Sequence, residues 1–311
     1  MKILIASKIH KLFAEEMGRA GHVCDEKILK NSDELMPLIS QYEGIVVNSR
    51  FVIGKELIDK ATGLKFLARI GSGMESIDTA YLGQKGIHWF NSPEGNRQAV
   101  GEHATAMLLN LLNKINVADR QVRGGQWLRE ENRGTEISGK TVGIIGYGNM
   151  GSSFARCLSG FGANVIAYDK YKFGYTDDFV CENTLEGVFE SADIVSMHVP
   201  LTEETTYMVN DAFIKSFKKN IYIINTSRGK VLNTADLVKN LISGKVLGAA
   251  LDVNEYESLS FEKIGFEEFP EPLQYLVKAN NVILTPHIAG WTMESNVKHA
   301  RVLADKILKA F

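Results

Sequence analysis

Short apolar runs of strand length alternate with helical segments along this chain, and this alternation limits the fold more than any other feature. The runs in the first third are KILIA, GIVVNS, LKFLARI and GIHWF. A second series comprises KTVGIIG, ANVIAYD, ADIVSMHV, NIYIINT, KVLGAALDV and NVILTP. Strands that alternate with helices form parallel sheets with helices on both faces. The pattern therefore predicts an α/β protein with doubly wound parallel sheets.

A long, strongly apolar helical pattern over residues 96–122 separates the two series. A polar, glycine-rich stretch at residues 123–139 follows it. We predict one continuous helix here, with the crossover between two domains at its start. The amphipathic pattern of residues 293–311 predicts a last helix that packs back on the first domain.

Composition excludes several classes of function. The 311 residues carry a net charge of −2, which does not suggest binding to nucleic acid or to an anionic membrane. No apolar run approaches the roughly 20 residues of a membrane span, and MKILIAS is predicted to be a first strand, not a signal peptide. Cys24, Cys157 and Cys181 are scattered, so we expect reduced thiols in a cytoplasmic protein. The seven histidines lack metal-ligand spacing, so no metal is expected.

A glycine motif opens the second series. Gly146, Gly148 and Gly151 form a GxGxxG pattern between a strand-like run and a helical segment. Such glycines permit a tight turn and bring a helix N-terminus to a pyrophosphate. Asp169 follows the last glycine at close to the spacing of about 20 residues that is typical of an acid binding the adenosine ribose. A carboxylate there would repel a 2′-phosphate, so the motif predicts NAD and not NADP, although Lys170 is adjacent.

A second glycine motif is misleading. Residues 134–141 match the phosphate-binding loop pattern GxxxxGK[ST]. Such a loop needs a buried strand before it and a helix after it. Here a polar stretch precedes it and a strand-like run follows. A kinase or other nucleotide-triphosphate enzyme is therefore a weak alternative.

Three polar residues follow three successive apolar strands. Arg228 follows IYIINT, Glu257 follows VLGAALDV and His287 follows NVILTP, at nearly equal intervals along the chain. Each residue alone has a purely structural explanation. Arg228 can cap the strand end, Glu257 can be a solvated acid of a loop, and His287 can be a loop histidine with its hydrogen bonds made within the fold. Because the carboxyl ends of parallel strands meet at one edge of a sheet, we expect all three beside the dinucleotide.

These residue types suit one chemistry. Arginine holds a carboxylate in a planar fork and polarises a neighbouring carbonyl. Histidine can give a proton to the alkoxide that hydride transfer creates, and a carboxylate partner favours its protonated form. The set predicts a site for 2-hydroxy and 2-oxo acids.

Seven stretches of the chain closely resemble those of the D-isomer-specific 2-hydroxyacid dehydrogenases. The stretches that carry the resemblance are GSGMESID, NSPEGNRQAVGEHA, GKTVGIIGYGNMG, HVPLTEET, INTSRGKVLN, AALDVNEYE and TPHIAGWT. The resemblance implies a flavodoxin-like substrate domain, residues 1–97 plus 288–311, and a Rossmann NAD-binding domain, residues 98–287. It implies a homodimer with the helix of residues 101–123 in the interface. Because the chain ends at Phe311, we expect no regulatory tail of the kind that some family members carry.

The resemblance also implies roles for individual residues. Arg228 would bind substrate, His287 would be the acid/base, and Glu257, not Glu255, would orient it. Further residues expected at the cofactor are Asn149, Met150, Val199, Thr226, Asp252 and Gly290. The backbone amides of Ser72 and Gly73 would hold the substrate carboxylate. Gly101 departs from the usual alanine, which we expect to affect packing and not chemistry.

The substrate is the open question. Arg50 and Arg69 lie in the first domain, and two extra cations suit a phosphate, so 3-phosphoglycerate is the leading candidate. Glyoxylate or hydroxypyruvate is the second candidate and D-lactate the third. These acids carry no phosphate and stay candidates because both arginines can equally form surface ion pairs of little energetic effect. A different class of function, an NAD-sensing regulator on the same fold, is disfavoured by the complete set of Arg228, Glu257 and His287.

Overall fold

The computed structural model describes residues 1–257 and 268–311, so part of the acidic stretch after Glu257 lies outside the described residues. The chain divides into two compact units. The described residues of unit 1 are 1–97 and 291–311, and those of unit 2 are 98–257 and 268–290. The domain division expected from the sequence, at residues 97/98 and 287/288, stays a prediction.

Unit 1 is built on a five-stranded parallel sheet. Its strands are β1 (Lys2–Ile5), β2 (Val23–Glu26), β3 (Gly44–Val47), β4 (Phe66–Arg69) and β5 (His88–Asn91), in the order β2-β1-β3-β4-β5. Its helices are α1 (Leu12–Arg19), α2 (Ser32–Leu35), α3 (Lys55–Lys60), α4 (Thr79–Gln84) and α12 (Met293–Ala310), with a 3-10 turn at Ile39–Gln41. This strand order is that of flavodoxin-like folds.

Helix α12 packs against the sheet of unit 1. Its buried residues Ala300, Leu303, Ala304 and Ile307 share one apolar cluster with β1 and with Phe13 of α1. A capping box between Thr292 and Ser295 fixes the start of the helix. The amphipathic pattern of the last segment thus buries its apolar face within unit 1.

Unit 2 is built on a seven-stranded parallel sheet. Its strands are β6 (Thr141–Ile145), β7 (Asn164–Tyr168), β8 (Cys181–Glu182), β9 (Ile194–Met197), β10 (Ile221–Asn225), β11 (Val246–Leu251) and β12 (Val282–Leu284), in the order β12-β11-β10-β9-β6-β7-β8. Its helices are α6 (Ile115–Arg123), α7 (Asn149–Cys157), α8 (Leu185–Ser191), α9 (Asp211–Ser216), α10 (Thr234–Ile242) and α11 (Glu271–Lys278), with a 3-10 turn at Gly229–Val231. Helix α5 (Pro93–Asn113) begins in unit 1 and continues into unit 2.

The strand order of unit 2 reverses between β6 and β9, and this is the topological switch point of a Rossmann fold, where ligands bind. Both sheets are parallel throughout, which confirms the predicted fold class. Residues 134–141 run directly into β6, so their Lys140 precedes a strand and not a helix. No helix within the described ranges has the length and hydrophobicity that crossing a bilayer requires.

One local prediction was wrong, and two strands were not predicted. The single helix predicted for residues 96–122 is two helices, because Lys114 adopts a left-handed conformation with φ of +52° and ends α5. Strands β2 and β8 were not predicted, because their residues are partly or fully exposed and therefore lack an apolar pattern. Gly101 is a packing position, as expected, since a Cβ there would lie 2.8 Å from Ser153 Oγ on α7.

Candidate active site and cofactor site

The turn after β6 requires glycine at two positions. Gly146 has a φ of +92°, and a Cβ there would lie 2.6 Å from the carbonyl oxygen of His198. A Cβ at Gly151 would lie 2.1 Å from the carbonyl oxygen of Gly146. Helix α7 starts at Asn149, so the turn delivers the helix N-terminus directly to the switch point of the sheet. This is the geometry that binds a pyrophosphate.

Asp169 is held beside this turn by backbone amides. One carboxylate oxygen accepts a hydrogen bond of 2.8 Å from the amide of Tyr147, within the glycine motif. The other accepts hydrogen bonds from the amides of Tyr171 at 2.9 Å and Lys172 at 3.1 Å. The carboxylate is therefore fixed at the carboxyl end of β7, where the sequence reading placed the ribose.

Lys170, the cation that complicated the prediction of NAD, has an acidic partner. Its ammonium group contacts the carboxylate of Glu204. The hydroxyl of Tyr171 donates to the same carboxylate at 2.8 Å. Because Lys170 forms an ion pair, its charge is partly neutralised beside Asp169.

The remaining residues expected at the cofactor lie around the same edge. Gly148 caps α7, with Asn149 and Met150 in its first turn, and the Val199 side chain lies close to Gly146. Thr226 follows β10 directly, and its buried hydroxyl oxygen has no hydrogen-bond partner among the described residues. A buried hydroxyl is rarely left unpaired. The hydroxyl, the glycine turn and Asp169 together fit a dinucleotide.

The three candidate catalytic residues follow three adjacent strands. Arg228 lies just beyond β10, Glu257 beyond β11 and His287 beyond β12. His287 Nδ1 lies 3.1 Å from Glu257 Oε1, within hydrogen-bond distance. The structure therefore brings the histidine and the carboxylate together at the carboxyl edge of the sheet.

A strained backbone presents His287. Its φ is 56°, in the left-handed region. Residues other than glycine rarely adopt this region. The His287 amide donates to the carbonyl oxygens of Asp252 at 2.7 Å and Thr285 at 3.1 Å. The Asp252 carboxylate is 1% exposed and accepts from the amides of Ile288 at 2.9 Å and Ala289 at 2.8 Å. These bonds on both sides of His287 hold the turn in place.

The contacts of Asp252 extend to residues that the sequence reading missed. Its carboxylate also accepts from the hydroxyl of Thr285 at 2.5 Å. The Nε2 atom of His103 on α5 lies 3.2 Å from that hydroxyl. The sequence suggested only a cofactor contact for Asp252, because hydrogen bonds between distant parts of the chain leave no local pattern. Gly290 follows this turn as the last residue of unit 2.

Arg228 is held by its own loop and by the next one. The carbonyl oxygen of Arg228 accepts from the Asn225 side chain at 3.0 Å, and Arg228 Nη1 donates to the carbonyl oxygen of Ser227 at 2.7 Å. A Cβ at Gly229 would lie 1.9 Å from the carbonyl oxygen of Asn254. Glycine at this position lets the loops after β10 and β11 touch.

The two glutamates after β11 face different partners. Glu255 accepts a hydrogen bond of 2.8 Å from the amide of Thr234, at the start of α10. Glu257 faces His287. The geometry thus gives Glu255 a capping contact and leaves Glu257 beside the imidazole.

Among the described residues, no group of three or more His, Cys, Asp or Glu side chains is arranged to hold a metal ion.

His198 follows β9 and lies behind the glycine turn. Its Nε2 atom is 2.8 Å from the hydroxyl of Ser196, and its ring packs on Phe154 with centroids 5.4 Å apart. Burial lowers the pKa of His198 to about 3. The ring is therefore neutral near pH 7, and its protonation would place a charge within the core.

The candidate substrate residues Arg50, Arg69, Ser72 and Gly73 lie in unit 1. Arg69 ends β4, and its guanidinium lies over Gly71, where a Cβ would be 2.4 Å from Nη1. Arg50 is exposed, and its amide donates to the Asn48 side chain at 3.0 Å. Ser72 and Gly73 are half-buried in the loop after β4. Of the two arginines, Arg69 is therefore the one beside the loop expected to hold the carboxylate.

Residues 105–289 match the family model described as D-isomer specific 2-hydroxyacid dehydrogenase, NAD binding domain. The chain belongs to the D-isomer-specific 2-hydroxyacid dehydrogenase family. The match covers the glycine turn, Asp169 and the strand ends that carry Arg228, Glu257 and His287. NAD is therefore the cofactor for which unit 2 is built, in agreement with the fit of its residues.

Relatives within the family differ in length and in name. The chain is 33% identical over 310 residues to the D-3-phosphoglycerate dehydrogenase of Archaeoglobus fulgidus, covering 99% of this chain and 57% of that protein. It is 35% identical over 277 residues to the hydroxypyruvate reductase of Thermotoga maritima, covering 89% and 87%. The D-lactate dehydrogenase of Aquifex aeolicus, solved with NAD and lactic acid, superposes with a TM-score of 0.84 at 28% identity and covers 100% and 95%. The chain thus spans little more than half of the first relative.

Proposed function

We propose that this chain interconverts a small D-2-hydroxy acid and the corresponding 2-oxo acid with NAD. The observation that carries the proposal is the contact of 3.1 Å between His287 and Glu257 on the sheet edge that also carries the glycine turn. The cofactor, held by the glycine turn and Asp169, would supply the hydride chemistry: NAD+ would accept a hydride from the hydroxy acid, and NADH would donate one to the oxo acid. The protein must then bind the acid, polarise its carbonyl and move one proton.

His287 is proposed as the proton donor and acceptor. Its Nδ1 atom faces Glu257, and Nε2 is proposed as the ring nitrogen that serves the substrate. In the direction of reduction, hydride transfer makes an alkoxide, which takes the proton from Nε2. Glu257 fixes the ring orientation through its contact with Nδ1 and places a carboxylate beside the ring that carries the proton.

Arg228 is proposed to bind the carboxylate and carbonyl of the acid. Its guanidinium is a permanent, planar cation that can form two parallel hydrogen bonds to such a group. The fixed loop around Ser227 and Gly229 limits the positions that the guanidinium can take. The backbone amides of Ser72 and Gly73 are proposed as further donors to the carboxylate.

3-Phosphoglycerate is our proposed substrate. Unit 1 supplies two cations that can bind a phosphate. One is Arg69, beside the loop of Ser72 and Gly73, and the other is the exposed Arg50. The relative named D-3-phosphoglycerate dehydrogenase aligns with 99% of this chain, which supports the assignment.

Hydroxypyruvate or glyoxylate is the second candidate, and D-lactate the third. The relative named hydroxypyruvate reductase is matched over 87% of its own length. The position of Arg69 over Gly71 also suits a purely structural arginine that supports the loop. In that case the substrate would carry no phosphate.

The test is the rate of NADH oxidation with phosphohydroxypyruvate, hydroxypyruvate, glyoxylate and pyruvate. Preference for the phosphorylated acid, with a KM that rises in Arg69→Ala, would support 3-phosphoglycerate. Arg19→Ala, at an exposed arginine that ends α1, is the matched control. An unchanged KM in Arg69→Ala would remove the phosphate site. NADH binding without turnover of any acid would contradict the dehydrogenase and favour an NAD-sensing regulator.

We also propose that the chain forms a homodimer through α5, α6 and the residues that follow. Ile115 and Val122 of α6 and Trp127 beyond it are 53%, 50% and 76% exposed. Such a concentration of exposed apolar side chains is typical of an interface. Light scattering after size exclusion should give twice the chain mass. Ile115→Glu should shift the protein toward a monomer, and a monomeric wild type would contradict the proposal.

A further inference from the structure

We propose that His299 of helix α12 is a positioning residue for the carboxylate-binding loop, residues 70–73, and that it acts through the hydroxyl of Ser92. The inference rests on the proposed function, because the role of the loop is part of it. His299 lies far from this loop in the sequence and belongs to a helix with no part in the chemistry described above.

A short chain of hydrogen bonds connects the helix to the loop. His299 Nδ1 lies 2.8 Å from Ser92 Oγ. The same Oγ accepts a hydrogen bond of 3.1 Å from the amide of Gly71. The amide of Ser92 in turn donates to the carbonyl oxygen of Gly71 at 2.9 Å. Both polar groups of Gly71 are therefore bound to one serine, and that serine is bound to the histidine.

The bonds are shielded from water. Ser92 is 0% and His299 8% exposed. A hydrogen bond in such surroundings is stronger than one at the surface, and a buried polar atom that loses its partner is correspondingly costly. Loss of the imidazole would therefore leave the Ser92 hydroxyl with a weaker set of partners.

Two glycines make room for this arrangement. A Cβ at Gly95, in the first turn of α5, would lie 2.6 Å from His299 Nδ1 and 2.9 Å from its amide nitrogen. Gly71 has a φ of +122°, which excludes other residues, and the Arg69 guanidinium covers it. The loop therefore depends on glycine at position 71, and glycine at position 95 leaves space for the imidazole.

The segment that contains Ser92 also binds Ser72 of the carboxylate-binding loop. The Asn91 side chain donates to the carbonyl oxygen of Ser72 at 2.7 Å, and the hydroxyl of Ser72 donates to Asn96 at 3.0 Å. Lys306, also on α12, donates to the carbonyl oxygen of Asn91 at 2.9 Å and pairs with Glu94 at 2.8 Å. Helix α12 therefore binds the segment after β5 through both His299 and Lys306.

The imidazole of His299 is neutral when it binds the Ser92 hydroxyl. Burial, with a smaller effect of the Arg69 charge, lowers the pKa of His299 to about 4. A neutral ring needs no counter-ion. Arg69 can therefore remain the cation beside the loop.

The kinetic consequence is specific. Backbone amides that hold the substrate carboxylate bind the ground state and the transition state alike, because this group does not react. Loss of such uniform binding raises KM and leaves kcat unchanged. A variant that only destabilised the fold would lower the amount of active enzyme without raising KM.

The experiment compares Ser92→Ala and His299→Leu with the wild type on the 2-oxo acid that gives its highest turnover. We expect KM for that acid to rise about 5- to 20-fold, with kcat within about twofold, since one buried hydrogen bond is lost. KM for NADH should not change. His299→Asn can place an amide near the Nδ1 position and should recover most of the wild-type KM.

Leu303→Ala is the matched control. Leu303 is a fully buried core residue of the same helix, so this change should lower stability without raising KM. An equal rise of KM in Leu303→Ala would overturn the proposal, because it would show a general effect of α12. Unchanged KM in both Ser92→Ala and His299→Leu would overturn it as well.

Hydrogen exchange of the Gly71 amide gives a readout that does not depend on activity. Faster exchange in Ser92→Ala and His299→Leu, but not in Leu303→Ala, would support the positioning role. If the wild type turned over none of the 2-oxo acids, the proposed function would fail. Equal Gly71 exchange in all proteins would instead overturn the positioning role of His299.

Discussion

Mild acid should destabilise unit 2 through His198. Its ring is buried between the hydroxyl of Ser196 and Phe154, and its Nδ1 atom has no hydrogen-bond partner within residues 1–257 and 268–311. The folded protein holds its pKa at about 3, whereas an unfolded histidine titrates near a pKa of about 6.5. Between these two values the unfolded chain binds one more proton than the folded chain. Stability is therefore lost progressively as the pH falls below about 6.5.

The size of the effect follows from the two pKa values. Each pH unit below the unfolded pKa and above the folded pKa removes about 1.4 kcal/mol. At about pH 5, some 1.5 units below the unfolded value, the loss is about 2 kcal/mol. This is a substantial part of the roughly 5–15 kcal/mol by which native proteins are stable.

The measurement is urea unfolding near pH 7.5 and near pH 5 for the wild type and for His198→Gln. Glutamine can keep a bond to Ser196 but does not titrate, so the variant should lose about 2 kcal/mol less than the wild type. His88→Gln, at an exposed histidine of β5, is the control and should behave as the wild type. A loss in His198→Gln as large as in the wild type would refute the reasoning.

Three substitutions test the remaining roles. His287→Ala should lower kcat about 10²- to 10⁴-fold, the usual effect of removing general acid/base catalysis; intact turnover would show that another group moves the proton. Arg228→Lys should lower kcat/KM sharply because a point charge cannot make the two parallel bonds of a guanidinium; near-normal kcat/KM would contradict this. Asp169→Ala should lower the preference for NAD over NADP. An unchanged ratio of kcat/KM with NAD to kcat/KM with NADP would contradict the assignment of Asp169 to the ribose.

The sequence predicts much of unit 2 because its information is local. Each strand of unit 2 except β8 is an apolar run, and each candidate catalytic residue follows the end of such a run. The parallel order then brings Arg228, Glu257 and His287 to one edge without further information. The glycine turn is equally local, since Gly146 and Gly151 are required by a positive φ and by close backbone contacts within one turn.

Other features depend on contacts that no local pattern records. Strand β2 is built from partly or fully exposed residues and is recognised only by its pairing with β1. The break at Lys114 interrupts a pattern whose propensities favour one helix. The Asp252 carboxylate was expected to meet the cofactor, and its bonds to Ile288 and Ala289 appear only when β11 and β12 are side by side.

The pair of Ser92 and His299 is 207 residues apart in sequence and was not predicted from it. Glycine disfavours a helix by about 1 kcal/mol relative to alanine, so a glycine in the first turns of α5 calls for a reason. Gly95 has one in the imidazole of His299, and Gly101 has one in Ser153 of α7. In both cases the missing Cβ is the space that another element occupies. These two helical glycines therefore mark where a neighbour approaches, and only the folded chain identifies that neighbour and its chemistry.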